Sequence, residues 1–482
     1  MAFLIGGANS EADTGYKVAN SCRFNDDDDA YMHITPGSAG NKRIWTFSTW
    51  LKRSLIATTI TGGDMRIFST DGSAGGPYGA LQFGADDRFI CWSYNGTDFD
   101  QYHRTNRVFR DPSAWYHIVV AVDTTQGVAA NRTKIYFNGV QETSWLTETI
   151  HDQNDDSEFN HDTKWWLASD DNQDYVFDGY LAETVFIDGT QYAASDFGEF
   201  DEDSPNIWKP KDVSGLTFGT NGFYLDYEDS ANLGNDANGG TDLTEVNLAA
   251  TDSSTDSPTN NFATLNSING LHYAGLTFSE GNLKVTTTAS QYAPAQSTIG
   301  FNSGKWYAEF KATDVDNWTM VGIVGQNATA TSSDIGKFSD GYGYIGGSGA
   351  GSGNSKRNND TTTSYAATYA DGDIISVAVD CDNNNIYFGL NGTWLDSGDP
   401  ESGATGTGAA YSISATPSSG FYFFACGNYS GSQTPDWEAN FGNPPYANSS
   451  SVADANGYGA FEYAVPSGYY ALCTKNLAKY GG

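Results

Sequence analysis

The chain has 482 residues, enough for two or three domains that each bury a core of their own. Its 59 acidic and 24 basic residues give a net charge of −35 at pH 7, and such a surface repels nucleic acid phosphates and anionic lipid headgroups. We therefore expect no binding to nucleic acid or to membrane surfaces. No apolar run is long enough for membrane insertion.

Composition favours β-structure throughout the chain. Aromatic residues make up 14% of it, and abundant Gly, Asn, Asp and Ser supply turn residues. We find no long amphipathic helical period. The five cysteines, at 22, 91, 381, 426 and 473, show no paired spacing and are expected to be free thiols. The first residues lack a basic lead-in and a long apolar core, so we expect a protein that is made in a cytosol and not exported by the standard route.

The first segment carries several strand patterns in succession. Residues 45–52 (WTFSTWLK) alternate large apolar and polar side chains, as a half-buried antiparallel strand does. Residues 115–140 predict a hairpin: an apolar strand that ends in Val-Asp, a loop, an Ile-Tyr-Phe strand and then the turn pair Asn138-Gly139. Residues 177–187 (FDGYLAETVFI) predict a closing strand.

The order of these segments resembles the laminin-G-like, concanavalin A-like domains. FSTWLKR, WYHIVVAVD, KIYFNGV and FDGYLAETVFIDG follow one another as they do in that family. The resemblance implies a β-sandwich over residues 21–200. We expect residues 1–20 to be an anchoring segment, clamped by a partner chain or by a neighbouring copy.

Residues 201–264 differ in amino-acid composition from the preceding segment. Between residues 201 and 261, twelve acids face two lysines, and Ser, Thr, Asn, Asp and Gly dominate. Phe223 and Tyr224 lie in one of the few apolar islands. We predict an acidic connector that is partly ordered and docks on one domain.

Residues 372–394 repeat the hairpin pattern of the first segment. Ile375, Val377 and Val379 alternate with small or polar residues, a strand follows from residue 386 to residue 390, and Asn391-Gly392 ends it. Together with GKWYAEF, VGIV, YGY and EANFG, this segment resembles a SPRY domain. The sequence thus predicts an all-β protein of two antiparallel, jelly-roll-type β-sandwiches, at 21–200 and 265–477, with a short tail at 478–482.

This pairing of modules resembles surface and fibre proteins of tailed bacteriophage virions. The resemblance implies a location on the virion surface after assembly in the host cytoplasm, with other virion proteins and copies of itself as partners. It also implies a glycan-binding adhesin for host attachment. The alternative is an architectural head or tail decoration or connector protein without a ligand. Head or tail location and oligomeric state stay open.

Aromatic residues in expected loops are the lectin-like feature of the sequence, because their rings can stack on sugars. The alternative is a purely structural role for these residues, since β-sandwiches also close their cores with Trp and Tyr. The candidate ligand-binding residues are Tyr94, Tyr102, Trp165, Trp166, Tyr342, Tyr344, Trp394 and Tyr429.

Acidic clusters suggest two further kinds of chemistry. Asp170, Asp171 and Asp174 precede the last strand of the first domain and form an oxygen-rich candidate site for calcium, although a plain acidic turn is the favoured interpretation. A less favoured alternative is a glycan hydrolase, since Glu199 and Asp201 stand at alternate positions. That pair lies outside the strand pattern, so we expect no enzyme activity and no other cofactor.

Overall fold

The computed structural model describes residues 15–56, 63–70, 76–268, 275–287, 294–325, 333–347, 353–428 and 434–481. The chain divides into two compact units, one within Ala12–Thr259 and the other within Asn260–Gly482. Antiparallel strands dominate both units, so the predicted all-β class is confirmed. Across these ranges, no helix is long and apolar enough to cross a membrane.

The first unit consists of short strands joined by turns. Its strands are β1 (Ser21–Phe24), β2 (Tyr31–Ile34), β3 (Ile44–Arg53), β4 (Met65–Thr70), β5 (Tyr78–Phe83), β6 (Arg88–Tyr94), β7 (Phe99–Val108), β8 (Trp115–Asp123), β9 (Thr133–Phe137), β10 (Val140–Gln141), β11 (Trp145–Thr149), β12 (Trp165–Leu167), β13 (Gly179–Asp188), β14 (Gly198–Phe200), β15 (Trp208–Pro210), β16 (Phe223–Leu225), β17 (Thr244–Val246) and β18 (Ser253–Ser254). Single 3-10 turns lie at Asp26–Asp28, Ala129–Asn131, Ala194–Asp196 and Ala250–Asp252.

Two sheets enclose the core of the first unit. The back sheet has the order β10-β9-β8-β3-β13-β1-β18, with β16 also paired to β13, and the front sheet has the order β11-β7-β6-β5-β4-β12-β2-β17. Phe47 and Val120 from the back sheet and Phe68 and Leu81 from the front sheet belong to one buried cluster. This is the β-sandwich that the alternating strands predicted.

The back sheet is apolar on its outer face as well. Val119 and Val185 face away from the main core and contact a second buried cluster that includes Phe197, Val213 and Phe218. This second layer explains why β8 reads as a nearly continuous apolar run, since both of its faces are covered.

Of the predicted connector, residues 201–264, the part up to residue 259 lies within the first unit. β16 pairs with β13, β17 pairs with β2 and β18 pairs with β1. Tyr227 is buried in the main core and donates to Thr184 Oγ1 over 2.8 Å. Short strands of this acidic segment thus extend both sheets of the sandwich.

The second unit contains the remaining strands and a C-terminal helix. Its elements are β19 (Leu276–Ser279), β20 (Lys284–Thr287), β21 (Ala295–Gln296), β22 (Lys305–Asp314), β23 (Thr319–Val324), β24 (Gly341–Gly346), β25 (Ser355–Asn358), β26 (Thr361–Ser364), β27 (Ile374–Asp380), β28 (Asn385–Leu390), β29 (Thr393–Trp394), β30 (Tyr411–Ser412), β31 (Phe423–Asn428), β32 (Asp436–Asn440), β33 (Tyr470–Ala471) and α1 (Thr474–Tyr480). Short 3-10 segments lie at Leu395–Ser397 and Pro400–Thr405.

Two sheets again form the second unit. One has the order β19-β20-β32-β22-β27-β28-β29, with β30 also paired to β28 and β33 also paired to β22. The other has the order β21-β31-β23-β24-β25-β26. Trp306 and Val377 from the first of these sheets share a buried cluster with Val321 and Phe424 from the second. The predicted second sandwich is therefore present.

Both predicted hairpins are confirmed. β8 pairs with β9, and β27 pairs with β28. The turn pairs that follow have positive φ at both positions, 47° and 78° at Asn138-Gly139 and 46° and 78° at Asn391-Gly392. Asn and Gly tolerate this conformation best, which is why the pair recurs at the two equivalent places.

A buried carboxylate connects β22 to β32 and to residues 462–463 in the second unit. Glu309 on β22 accepts hydrogen bonds from Tyr307 Oη at 3.0 Å, Asn440 Nδ2 at 3.2 Å, Glu462 N at 2.9 Å and Tyr463 N at 2.8 Å. Burial raises its pKa to about 7, and these four donors counteract that shift because they favour the ionised form.

We expect Glu309→Gln to destabilise the second unit by about 2 kcal/mol or more. The amide NH2 group is a donor, so it would replace a carboxylate oxygen that accepts two of the four hydrogen bonds. The measurement is the midpoint of urea unfolding of the full chain, followed by tryptophan fluorescence. Glu401→Gln is the control, since the exposed Glu401 accepts one hydrogen bond, from Ser467 N. An unchanged midpoint for Glu309→Gln would contradict the assigned role.

We also expect acid to destabilise the first unit through its buried histidines. Burial lowers the pKa of His103 and His151 to about 4 and that of His117 to about 3. The unfolded chain, with histidine pKa values of about 6.5, binds more protons below that pH, so stability falls as the pH drops from about 6.5 to about 4. Glu183 acts in the opposite direction, because burial raises its pKa to about 8.

His151→Gln isolates one such contribution. Its ring nitrogen lies 2.9 Å from Gln101 Oε1, a contact that a glutamine amide can replace. The variant should lose less stability than the wild type between about pH 7 and about pH 4.5, measured by urea unfolding at each pH. Equal losses in the two proteins would show that His151 does not titrate as described.

Candidate functional site

The outer face of the front sheet carries a group of aromatic rings, here called the aromatic face: Tyr78, Trp92, Tyr94, Phe99 and Tyr102. These residues stand on β5, β6 and β7, and cross-strand pairing places Tyr78 opposite Tyr94, Trp92 opposite Tyr102 and Tyr94 opposite Phe99. Because side chains alternate along a strand, their neighbours Leu81, Phe89 and Cys91 point into the core instead.

The rings contact one another in edge-to-face or tilted arrangements. Ring centroids are 4.7 Å apart for Tyr78 and Trp92, 5.3 Å for Tyr94 and Phe99, and 5.2 Å for Phe99 and Tyr102. Phe99 is 48% exposed, whereas Tyr78, Tyr94 and Tyr102 are half-buried. The group therefore presents a partly accessible aromatic surface and not a closed core.

Polar groups are fixed beside these rings. Trp92 Nε1 donates to Gln82 Oε1 at 3.2 Å, and Gln82 Nε2 donates to Asp64 Oδ2 at 2.6 Å. The Arg66 guanidinium lies 5.8 Å from the Trp92 ring centroid and pairs with Asp170 at 2.9 Å. The aromatic face thus combines stacking surfaces with hydrogen-bonding groups held in place by buried partners.

The turn between β6 and β7 positions the most exposed ring. Asn95 Oδ1 accepts hydrogen bonds from the backbone N–H groups of Thr97 and Asp98, both at 3.0 Å. Beside this turn, burial raises the pKa of Asp100 to about 6. A carboxyl group that titrates near neutral pH therefore lies directly after Phe99 in the chain.

The aromatic candidates of the first unit divide into two groups. Tyr94 and Tyr102 come together on the aromatic face, but they lie on β6 and β7 and not in the expected loops. Trp165 and Trp166 lie on β12 and not in a loop, which corrects their expected position. Trp165 is 1% exposed, packs against Phe186 at 4.9 Å in the core and cannot stack on a ligand, while Trp166 is 5% exposed on the opposite side of the strand.

In the second unit, the expected loop tyrosines are core residues, which is also a correction. Tyr342 and Tyr344 lie on β24 and are both buried, and the Tyr344 hydroxyl donates to Ala367 O at 2.7 Å. Trp394 on β29 is half-buried and meets Tyr307 at a centroid distance of 6.4 Å. Tyr429 lies outside the described residues.

The acidic candidates are placed as follows. Asp170 is buried in its ion pair with Arg66, and Asp170 Oδ1 also accepts from Asp174 N at 3.1 Å, so this carboxylate is already occupied. Asp171 and Asp174 lie in the same turn. Over the described ranges, no three His, Cys, Asp or Glu side chains converge as a metal site would require, and calcium binding stays a prediction.

The carboxylates considered for hydrolysis share one lysine. Lys209 Nζ lies 3.5 Å from Glu199 and 3.3 Å from Asp201 across the β14–β15 hairpin. Asp201 Oδ1 also accepts from the backbone of Asp203 and Ser204, and these hydrogen bonds lower its pKa. A glycosidic general acid needs a raised pKa, so this arrangement does not suit that role.

Sequence reasoning missed three members of the aromatic face, Tyr78, Trp92 and Phe99. A signal was present in β6, where Ile90, Trp92 and Tyr94 recur at every second position while Phe89 and Cys91 form an equally apolar alternate set. A strand that is apolar on both faces in an antiparallel sheet indicates either double burial or an aromatic surface.

Comparison with known proteins agrees with the architecture of the first unit. Residues 26–194 match the family model of the concanavalin A-like lectin/glucanases superfamily, which confirms the laminin-G-like resemblance. No curated protein matched the chain.

Several solved structures are similar to parts of this chain. The SPRY domain of human HERC1 is 16% identical, with a TM-score of 0.26, over 37% of this chain and 92% of that one. A protein from Bacteroides ovatus proposed to bind carbohydrate is 15% identical, with a TM-score of 0.31, over 48% and 58%. The heptameric SAP-like pentraxin from Limulus polyphemus is 12% identical, with a TM-score of 0.25, over 40% and 76%.

Proposed function

We propose that the first unit is a glycan-binding module and that its ligand lies across the aromatic face. The observation that carries this proposal is a set of adjoining, partly exposed rings on the outer face of the front sheet of a lectin-like sandwich. These rings belong to Tyr78, Tyr94, Phe99 and Tyr102. Sugar rings expose C–H groups that pack on aromatic faces, and their hydroxyls need hydrogen-bonding partners nearby. The hydroxyl groups of the half-buried Tyr78, Tyr94 and Tyr102 can serve as such partners.

We further propose that the module binds without cleaving its ligand. Among the acids weighed for hydrolysis, Glu199 and Asp201 are both paired with Lys209, away from the aromatic face on a separate hairpin. Neither is then available as the proton donor that hydrolysis requires.

Phe99→Ala and Tyr102→Ala should each weaken glycan binding by about tenfold, because each removes part of the stacking surface. The measurement is binding of the purified full chain to a glycan array, followed by titration of the best ligand. Phe338→Ala is the matched control, since Phe338 is a similarly exposed ring, at 37%, in the second unit. Retained binding in both aromatic-face variants would contradict the proposal, provided their unfolding midpoints match the wild type.

At a finer level, we propose that the ligand is a host surface glycan and that the protein acts as an attachment protein on a virion surface. This step is supported by the order of the two module types in the sequence and by the glycan-binding proposal. The alternative is an architectural virion component with no ligand, which would leave the aromatic face covered by neighbouring subunits.

An adsorption experiment separates these two possibilities. Purified protein at saturating concentration should slow adsorption of the corresponding virions to host cells, and Phe99→Ala should reduce this competition while Phe338→Ala retains it. Unchanged adsorption, together with antibodies that bind the protein but do not neutralise, would favour the architectural role.

A further inference from the structure

A cleft of about 440 Å³ opens on the first unit where the β14–β15 hairpin meets the edge of the back sheet. It lies outside the aromatic face and shares no residue with it. Three tryptophans and two phenylalanines dominate its wall. The lining residues are Trp50, Arg107, Trp115, Phe137, Asn138, Val140, Phe200, Pro205, Asn206 and Trp208.

A basic side chain lines this cleft, although the protein as a whole is acidic. Arg107 is the one charged residue among the ten that line it, whereas the whole chain carries −35. Its Nε lies 3.3 Å from Glu142 Oε2, and its two Nη groups make no hydrogen bond within the described residues. These two Nη groups can therefore donate a bidentate pair of hydrogen bonds to a ligand carboxylate. A cationic ligand would meet a like charge here.

One wall of the cleft is rigid. The His117 ring is nearly parallel to the indoles of Trp50, at a centroid distance of 4.6 Å, and of Trp208, at 6.0 Å. Trp208 Nε1 donates to His117 Nδ1 at 3.0 Å, so the other ring nitrogen carries the proton and donates to Ser48 Oγ at 2.9 Å. The indole of Trp208 is thus held in one orientation before any ligand arrives.

Backbone close to Trp208 reinforces this arrangement. A Cβ atom would lie 2.3 Å from the indole ring at Gly139 and 2.6 Å from it at Gly198. Only glycine therefore lets the indole pack against the backbone at these two positions. Phe200, at a centroid distance of 4.9 Å, meets Trp208 edge to face and is 43% exposed. The aromatic wall is therefore built and partly open to solvent.

Hydrogen-bonding capacity also remains unused at this place. Trp50 is 3% exposed, and its Nε1–H has no hydrogen-bond partner among the residues described. Asn138 Oδ1 accepts from His117 N at 2.7 Å, which leaves its Nδ2 group as a donor at the cleft. Both groups are donors, so a ligand in this cleft would be matched to them by acceptor oxygens.

We propose that this cleft binds one acidic sugar residue, a hexuronic acid unit, with its carboxylate on Arg107 and its ring against the tryptophan wall. The anionic character of the ligand follows from the cleft alone, and its identity as a sugar rests on the proposed function. The site is separate from the aromatic face, so the first unit would hold an acidic glycan at two places.

The test compares two ligands that differ in one group, methyl β-D-glucuronide and methyl β-D-glucoside, by isothermal titration calorimetry on the full chain. The wild type should bind the glucuronide at least about tenfold more tightly, because a charged pair with arginine adds to the shared ring contacts. Arg107→Gln should remove that preference. Arg43→Gln should retain it, since Arg43 has the same side-chain exposure, 46%, and likewise pairs with one acid, Asp156.

Equal affinity for the two glycosides, no binding of either, or a preference that survives in Arg107→Gln would overturn the assignment. Phe99→Ala distinguishes the two sites, because it should weaken array glycans and leave glucuronide binding to the cleft unchanged. If Phe99→Ala has no effect on either ligand while Arg107→Gln abolishes the glucuronide preference, the cleft assignment stands and the aromatic face fails.

Discussion

Strand register in the antiparallel sheets is the constraint on which the rest of the first unit depends. β3 pairs with β8 on one side and β13 on the other. All three strands supply the main core, and β8 and β13 also supply the second buried cluster. A shift of one residue would exchange every inward side chain with an outward one. Register therefore determines at once which rings stabilise the fold and which can meet a ligand.

The two sheets of the first unit use their outer faces differently. The back sheet is covered by residues that follow β13, which bury Val119 and Val185 and support the wall of the cleft. The front sheet has Phe99 exposed on its outer face, with three half-buried tyrosines around it. Both candidate sites thus arise from the outer faces, where aromatic residues exceed what the core requires.

Part of the acidic excess has a structural role. Lys52 pairs with Asp256, Arg53 with Asp87 and Arg66 with Asp170, and all six side chains are at most 10% exposed. A cation in such a place is tolerated only with a partner, because removal from water is costly for an isolated charge. The net charge alone would have suggested a merely solvated surface, whereas these acids are needed inside the unit.

The sequence by itself determined the all-β class, the two sandwiches and the paired hairpins, since the period of two and the Asn-Gly turns are local properties of the chain. It also singled out Tyr94 and Tyr102 as candidate binding residues, although it expected them in loops and they lie on β6 and β7. It could not tell that Trp165, Tyr342 and Tyr344 are buried, because an aromatic residue in a strand looks the same whichever face is covered. Only the tertiary structure decided that question, and it alone brought Arg107 to a wall of tryptophans, because burial and proximity depend on which distant segments pack against each strand.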